Sequence, residues 1–247
     1  MSKKILLGVF LLSAILLACK KENESFKIAS ISDYAPYKVG KYITYKLDSF
    51  RYLPFSTQGI TITYQVKYQV EAAITDNLGK PAYRIIRYIR KSAGEVWKSD
   101  NTFMASNTGI SLEFVENNLR FINLKLPIRD TYSWMGNVYI STIQLDPLKP
   151  DLKYYEGWEY TYDSVNAPLK LGSILLDSTI KVAQRDEVIG TPGFYNEINF
   201  GVEYYAKGIG LVYKKFLHSE FQPPTGSGNG YYSDATKGIT LTMIDHN

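Results

Sequence analysis

The side chains that most often carry enzymatic chemistry are scarce in this chain. It contains two histidines, His218 and His246, and one cysteine, Cys19. The serine in Gly226-Ser227-Gly228 lacks the Gly-x-Ser-x-Gly spacing that presents a nucleophile on a sharp turn. Asp245-His246 offers two metal ligands at the end of the chain, fewer than a zinc site requires. These patterns favour a protein that is not an enzyme, and they predict no metal site and no catalytic residue.

Two further patterns bear on cofactor binding and on hydrolysis, and neither has the spacing or geometry that would identify such a site. The glycines of Gly190-Thr191-Pro192-Gly193 and Gly208-Ile209-Gly210 do not have the spacing of a phosphate-binding loop that opens a helix, so we expect turns and no cofactor. The acidic pair Asp186-Glu187 could serve a glycosidase only if two carboxyl groups lay about 5 to 9 Å apart across a sugar. A hydrolase with an unrecognised site therefore stays an alternative.

Three tryptophans are the candidate ligand-binding residues. Trp97, Trp134 and Trp158 could stack on a sugar or contact an apolar ligand, although a tryptophan in a β protein is more often part of the core. Trp134 precedes Met135-Gly136-Asn137 in a segment that we expect to form a loop. It is therefore the tryptophan that we expect to be most exposed.

The first residues indicate export and lipid attachment. Lys3 and Lys4 precede an apolar run, residues 5–17, that is too short for a membrane span and is typical of a secretory signal peptide. The run ends in Leu16-Leu17-Ala18-Cys19, which resembles the lipobox that directs cleavage before a lipidated cysteine. We therefore predict a signal peptide over residues 1–18 and acylation of Cys19, with the membrane as partner. An acylated Cys19 leaves no thiol for a disulfide.

The residues after Cys19 bear on location. Residues 19–33 are polar and show no periodicity, so we predict a flexible tether. Within it, Lys20-Lys21-Glu22-Asn23-Glu24 resembles the lysine-then-acidic tag of lipoproteins on the outer face of the outer membrane. The expected location is therefore the outer membrane, facing the cell surface, with a periplasm-facing anchor as the alternative.

Composition indicates an all-β protein and argues against nucleic-acid binding. The chain has 28 basic and 24 acidic residues, and the signal segment removes two of the basic ones, which is far from the basic excess of a nucleic-acid-binding domain. Aromatic residues make up 14% of the chain and include 21 tyrosines, a residue that favours strands because its ring packs across them.

The strands that must position any site are long and two-faced. From Gly59 to Thr75 an apolar or aromatic side chain occupies every even position, and polar residues occupy most of the others. A strand of that length must bend, bulge or curl, so we predict a large, strongly curved antiparallel sheet with little helix, forming an open or half barrel or a two-layer sandwich. Residues 34–247 are expected to form one β domain, with a subdomain break, if any, near residues 147–150.

Several segments together resemble a known group of proteins. Residues 34–49, 114–137, 203–216 and 241–247 resemble a family of uncharacterised Bacteroidetes-type outer-membrane lipoproteins. The turn from Tyr205 to Val212 is similar to the closing hairpin of wider secreted β families, some with half-barrel folds like the lipoprotein-localisation factors, which shelter acyl chains. The resemblance implies a location and a β architecture, and it brings no catalytic residues.

We therefore expect a lipid-anchored cell-envelope protein with a non-enzymatic binding role. An apolar or lipid-like ligand follows from the amphipathic long strand, because one apolar face suits a sheet wrapped around a core or a cavity. A glycan-binding accessory lipoprotein is the alternative, and it depends on the tryptophans. The sequence predicts no oligomeric state.

Overall fold

The computed structural model describes residues 29–143 and 151–247. Within these ranges one short helix, α1 (Ile31–Tyr34), precedes a series of antiparallel strands. The strands are β1 (Tyr42–Tyr52), β2 (Gly59–Thr75), β3 (Pro81–Arg90), β4 (Lys98–Asn107), β5 (Ser111–Glu116), β6 (Leu119–Lys125), β7 (Ser133–Met135), β8 (Glu159–Leu171), β9 (Ile174–Gly190), β10 (Asn196–Ala206), β11 (Gly210–Gln222), β12 (Tyr231–Tyr232) and β13 (Lys237–His246).

All of these strands belong to one sheet that curls until it is nearly closed into a barrel. The strand order is β6-β5-β4-β3-β2-β1-β13-β11-β10-β9-β8-β7, and β12 pairs with β11 outside this path. The predicted all-β class and the strongly curved antiparallel sheet are confirmed. The sheet goes further than the half barrel that we considered, because its two edge strands come together.

The seam between the edges is held by a small set of hydrogen bonds. The Ile122 amide of β6 donates to the Gly136 carbonyl just after β7 at 2.8 Å. The Trp134 indole donates to the Ile122 carbonyl at 2.7 Å, and the Tyr162 hydroxyl of β8 donates to the Lys125 carbonyl at 2.8 Å. Gly136 must be a glycine here, because a Cβ would lie 2.4 Å from the Tyr160 ring. These hydrogen bonds join the two edges at one part of the seam, whereas β7 covers only Glu159–Thr161 of the longer edge strand β8.

The long two-faced strand has the bounds that the alternation indicated. β2 covers all 17 residues of Gly59–Thr75, and its inward-facing Val66 and Val70 are buried. The pairing with β3 shifts register between Val70 and Ala72, which places a bulge at Glu71. Bulges increase the local twist and bend the strand, so this irregularity contributes to the curvature that a strand of this length requires.

Residues before β1 fill one end of the barrel. Ser30 caps α1 through a reciprocal capping box with Asp33. Ile31 and Tyr34 are buried against a core cluster that includes Val70 and Ile85. The predicted tether, 19–33, therefore ends earlier than its polar composition indicated, because Ile31 belongs to the core. Residues 19–28 lie outside the described part of the chain.

Other strand predictions had mixed outcomes. The hairpin of β5 and β6 turns at Asn117 and Asn118, whose φ angles of 51° and 63° fit the left-handed turn that asparagine tolerates. The sequence of residues 137–145 also predicts a strand, and this is wrong for its described part, because residues 137–139 form turns and 140–143 are not in a strand. The subdomain break near 147–150 falls outside the described residues. No helix in the described ranges has the length and hydropathy needed to cross a membrane.

Candidate functional site

The barrel interior holds a cavity of about 1090 Å³ in the half away from α1. Consecutive turns of an antiparallel sheet alternate between its two ends, so the turns after β1, β3, β5 and β9 share one end, which we call the mouth end. The chain enters β1 at the opposite end. Among the residues that line the cavity, Asn117, Ser141 and Ile143 are exposed, so the cavity opens to solvent at the mouth end.

One wall of the cavity is aromatic. Trp158 packs against Phe216 with ring centroids 5.9 Å apart and against Tyr155 at 5.5 Å. Trp158 is 1% exposed, and its indole donates to the Tyr154 carbonyl at 2.6 Å. Gly201 of β10 makes room for it, because a Cβ there would lie 2.7 Å from the Trp158 ring. Trp158 therefore backs the half-buried rings of Tyr155 and Phe216, and these two rings present the aromatic surface on which an apolar or ring-bearing ligand can lie.

The floor of the cavity is charged. Glu203 of β10 and Lys214 of β11 are direct cross-strand partners, and Lys214 Nζ lies 3.3 Å from Glu203 Oε1. Lys214 Nζ also lies 3.4 Å from Glu116 Oε2 at the end of β5. Burial opposes the charged form of Lys214, but the two carboxylates outweigh it, so the pKa of Lys214 is raised and the side chain carries a charge.

Polar groups around this trio extend the floor. The Tyr205 hydroxyl donates to Glu203 Oε2 at 2.6 Å, and Asn123 Nδ2 donates to that hydroxyl at 3.1 Å. Burial raises the pKa of Tyr68 to about 12, so this phenol is a neutral hydroxyl at physiological pH. The same floor separates the large cavity from a narrow space of about 60 Å³ beside Tyr37, on the side of α1.

Two further cations line the cavity. Arg87 forms a two-point contact with Asp100, at 2.9 Å and 2.7 Å. Lys237, at the mouth end of β13, donates to the Tyr154 hydroxyl at 2.6 Å and lies 4.6 Å from the centre of that ring. The cavity therefore combines an aromatic wall, a polar floor and a basic group near the opening.

The three candidate tryptophans occupy three different environments. Trp158 lines the cavity. Trp134 was expected to be the most exposed, which is wrong: it is 4% exposed because its indole closes the seam and its ring packs on Tyr162. Trp97 is half-buried in a different place, where the Arg90 guanidinium lies 4.2 Å and Lys67 Nζ 5.3 Å from its ring. The structure therefore brings none of the three together.

The other residues that could carry catalytic or metal-binding chemistry do not form a cluster at the cavity. His218 is buried between Asn199 Oδ1, at 2.8 Å from Nδ1, and Glu220 Oε1, at 3.2 Å from Nε2. Glu187 pairs with Arg185 in strand β9. No cluster of metal-ligating side chains occurs in residues 29–143 or 151–247. Cys19, the predicted lipid attachment site, lies outside the described residues.

Sequence reasoning missed the charged floor. From sequence, Glu116-Asn117-Asn118 is predicted to form a hairpin turn, and strand β10, which carries Glu203, is not predicted as a whole. Alternation alone places charged residues on the solvent face of a strand, so it cannot identify a glutamate that faces the inside of a barrel. The one available signal was the spacing of Glu203 and Lys214, which lie five residues before Gly208 and five residues after Ile209, on either side of the turn.

Comparison with known proteins adds little. No protein-family model matches this chain, and no curated protein does. The solved structures include a Bacteroides fragilis protein, inferred to be exported and with a YmcC-like fold, that is 11% identical to this chain. The match covers 85% of this chain and 96% of that one, with a TM-score of 0.34. That TM-score is too low to transfer a fold family or a function.

Proposed function

We propose that this protein is a cell-envelope protein that binds a small amphiphilic ligand in its barrel cavity, without catalysing a reaction. The observation that carries the proposal is the cavity of about 1090 Å³ on the far side of the barrel from α1. Ligand sites in proteins commonly enclose about 300 to 1,000 Å³ and combine apolar walls with a few polar groups. A barrel of this strand number is wide enough to enclose such a site.

The lining supports a ligand with an apolar body and a polar inner end. The half-buried Phe114, Phe121, Tyr155 and Phe216 present aromatic carbon to the interior, and Leu119 and Ile239 add aliphatic carbon. Burying that surface against a ligand is favourable by about 25 cal/mol per Å² of apolar area. A purely apolar ligand would displace water from the partly exposed Glu116 without replacing its hydrogen bonds, and this favours an amphiphile among the apolar or lipid-like ligands that the sequence predicts.

A glycan is the second candidate, and the amide side chains favour it. Asn101, Asn117, Asn118, Asn123 and Gln184 all line the cavity, and amides can both donate to and accept from sugar hydroxyls. Together with the half-buried ring of Tyr155 they supply stacking and hydrogen bonds inside the barrel. A glycan that stacks on Trp97 instead would occupy a different surface, where Arg90 and Lys67 already contact the ring.

Binding is favoured over hydrolysis by the chemistry of the described lining. It contains no histidine or cysteine among residues 29–143 and 151–247, and its two carboxylates share one lysine. A general base near neutral pH most often is a histidine or a carboxylate with a free face toward a water. Glu116 keeps one oxygen free, but the second carboxylate, Glu203, is engaged by Lys214 and Tyr205, so the described lining offers no second free carboxyl group for glycoside hydrolysis.

The cell-envelope part of the proposal is supported by the N-terminal sequence. The basic start, the short apolar run and Leu16-Leu17-Ala18-Cys19 are the features of a lipoprotein signal. Acylation of Cys19 would anchor the chain at the end of the barrel where residue 29 enters, opposite the mouth end. On this proposal the cavity faces away from the outer membrane, and the lysine-acidic segment after Cys19 favours the cell surface over the periplasm.

Native mass spectrometry tests the proposal. The Cys19→Ala protein, purified without detergent, is expected to carry a non-covalent adduct that is lost on denaturation. Ser49 lines the cavity, so Ser49→Phe should fill part of it and abolish the adduct. Thr61→Phe, at an exposed position of β2, is the matched control and should retain the adduct. Adducts of equal abundance on both variants would place the ligand outside the cavity and contradict the proposal.

A further inference from the structure

The floor of the cavity carries more negative than positive charge. Two carboxylates, Glu116 and Glu203, face one ammonium group, Lys214, at 3.4 Å and 3.3 Å. The adjacent Arg87 does not alter this balance, because its guanidinium is matched by Asp100. Lys237 is the remaining cation of the lining, and it lies at the first residue of β13, at the mouth end.

The floor and Lys237 are well separated along the barrel. Glu203 is the eighth residue of β10, counted from the mouth end where that strand begins. Lys214 pairs with Leu241, four residues from Lys237 along β13, which is about 13 Å at about 3.3 Å per residue. Glu116 is the last residue of β5, so on that side the trio lies next to the turn at the mouth end. A ligand group that contacts the Glu116–Lys214–Glu203 trio is therefore distant from Lys237.

The hydrogen-bonding capacity of the trio also favours a donor. Lys214 already directs its ammonium at both carboxylates. Glu203 is 1% exposed in its side chain, and its second oxygen accepts from Tyr205. Glu116 is 19% exposed and lines the cavity, and its Oε1 accepts no hydrogen bond from the described residues. A carboxylate oxygen with an unused acceptor position is suited to an N–H donor of a ligand.

Aromatic rings beside the floor add to the same preference. Tyr68, Phe114, Tyr160 and Phe216 line the cavity together with the trio. A cation near the face of such rings is attracted to them, whereas an anion is not. Net negative charge, a free carboxylate oxygen and aromatic faces together are the features that recognise an amine.

We propose that the ligand is a cationic amphiphile whose protonated amine lies against Glu116 and whose apolar body lies along the rings of Tyr155 and Phe216, which Trp158 supports. This inference rests on the proposed function, since it names the chemical class of the ligand in the same cavity. It excludes amphiphiles with an anionic inner end, such as a fatty acid carboxylate, because they would face the excess negative charge of the floor.

Titration calorimetry of the Cys19→Ala protein with three probes of equal chain length tests the inference. Dodecylammonium, dodecanoate and dodecyl glucoside are compared below their micelle concentrations. We expect dodecylammonium to bind about tenfold or more tightly than dodecanoate, with the neutral glucoside between them. Glu116→Gln should abolish most of the preference for dodecylammonium over dodecanoate. Glu71→Gln makes the same charge change at an exposed position of β2 and should preserve that preference.

The outcomes separate the two proposals. Equal affinities, or tighter binding of dodecanoate, would overturn the inference and leave cavity binding intact. If none of the three probes binds, the proposed function fails together with the inference. The ratio of the dodecylammonium and dodecanoate affinities, measured on the Cys19→Ala protein, tests the inference even if Glu116→Gln does not fold. This measurement requires no substitution at the floor.

Discussion

Glu203 and Lys214 lie directly opposite each other on β10 and β11, and their side chains meet inside the barrel at 3.3 Å. A cross-strand ion pair on the inner face is costly to bury unless each group keeps its partners. Here Glu116 and Tyr205 complete the arrangement. The pair therefore links the stability of the barrel to the chemistry of its cavity.

Replacing Lys214 should destabilise the protein strongly. In Lys214→Met, Glu203 and Glu116 would face each other without a cation, and breaking a buried pair in this way typically costs about 3 to 5 kcal/mol. Lys215→Met, at the next and exposed position of β11, should change the free energy of unfolding by about 0.5 kcal/mol. Urea denaturation measures both variants. Similar losses from the two substitutions would mean that the interior trio contributes nothing specific.

Adjacent residues of β2 should respond in opposite ways to the same change. Val66 is 0% exposed, so Val66→Asp buries a carboxylate without a partner and should cost about 3 kcal/mol or more. Lys67 lies between the rings of Tyr88 and Trp97, at 5.2 Å and 5.3 Å, so Lys67→Asp should cost about 1 kcal/mol. Thermal denaturation of both variants and of the unsubstituted protein measures the two losses of stability. Equal destabilisation would contradict the two-faced strand.

Stability should fall at acid pH in part because of Glu220. The hydrogen bond from His218 lowers the pKa of Glu220 despite partial burial, and Ser233 adds a second donor. A carboxylate with a lowered folded pKa stabilises the protein above its unfolded pKa, and the contribution is lost as pH falls through the folded value. The loss is therefore expected below the ordinary value of 4.5.

Urea denaturation between pH 3 and 7 checks this contribution. Glu220→Gln should show a shallower decline of stability below pH 4.5 than the unsubstituted protein. Glu95→Gln, at an exposed position of the turn after β3, serves as the control and should keep the original slope. Parallel curves for all three proteins would show that Glu220 is not responsible.

Lipid attachment is tested at its single site. Only the thiol of Cys19 can accept a diacylglyceryl group, so Cys19→Ala should move the protein from the detergent phase to the aqueous phase. Acyl chains on Cys19 would supply the membrane affinity, at about 0.8 kcal/mol per buried methylene. If the variant still partitions with detergent or membranes, the anchor must lie elsewhere, and the predicted orientation of the cavity loses its basis.

The sequence predicted the fold far better than the site. The alternation of apolar and polar residues from Gly59 to Thr75 predicted both ends of β2 correctly, since one face of a curved sheet must be apolar. The seam was not predictable from the sequence. The strands β6 and β7 are the two ends of the strand order, with ten strands between them in the sheet, and nothing near Trp134 shows that these two ends come together. Trp134 was consequently placed on the surface, although its indole bonds Ile122. The interior charges Glu116 and Glu203 resembled ordinary solvent-facing residues.

The positions of the three tryptophans allow a direct test of cavity binding. Trp158 lines the cavity, Trp134 closes the seam and Trp97 lies between Arg90 and Lys67 away from it. Each indole N–H gives its own resonance in a ¹⁵N-correlated NMR spectrum, so the Cys19→Ala protein contains two internal controls. On titration with a dodecyl amphiphile, we expect the Trp158 resonance to shift while those of Trp97 and Trp134 stay in place. A shift of Trp97 with Trp158 unchanged would place the ligand outside the barrel and contradict the account.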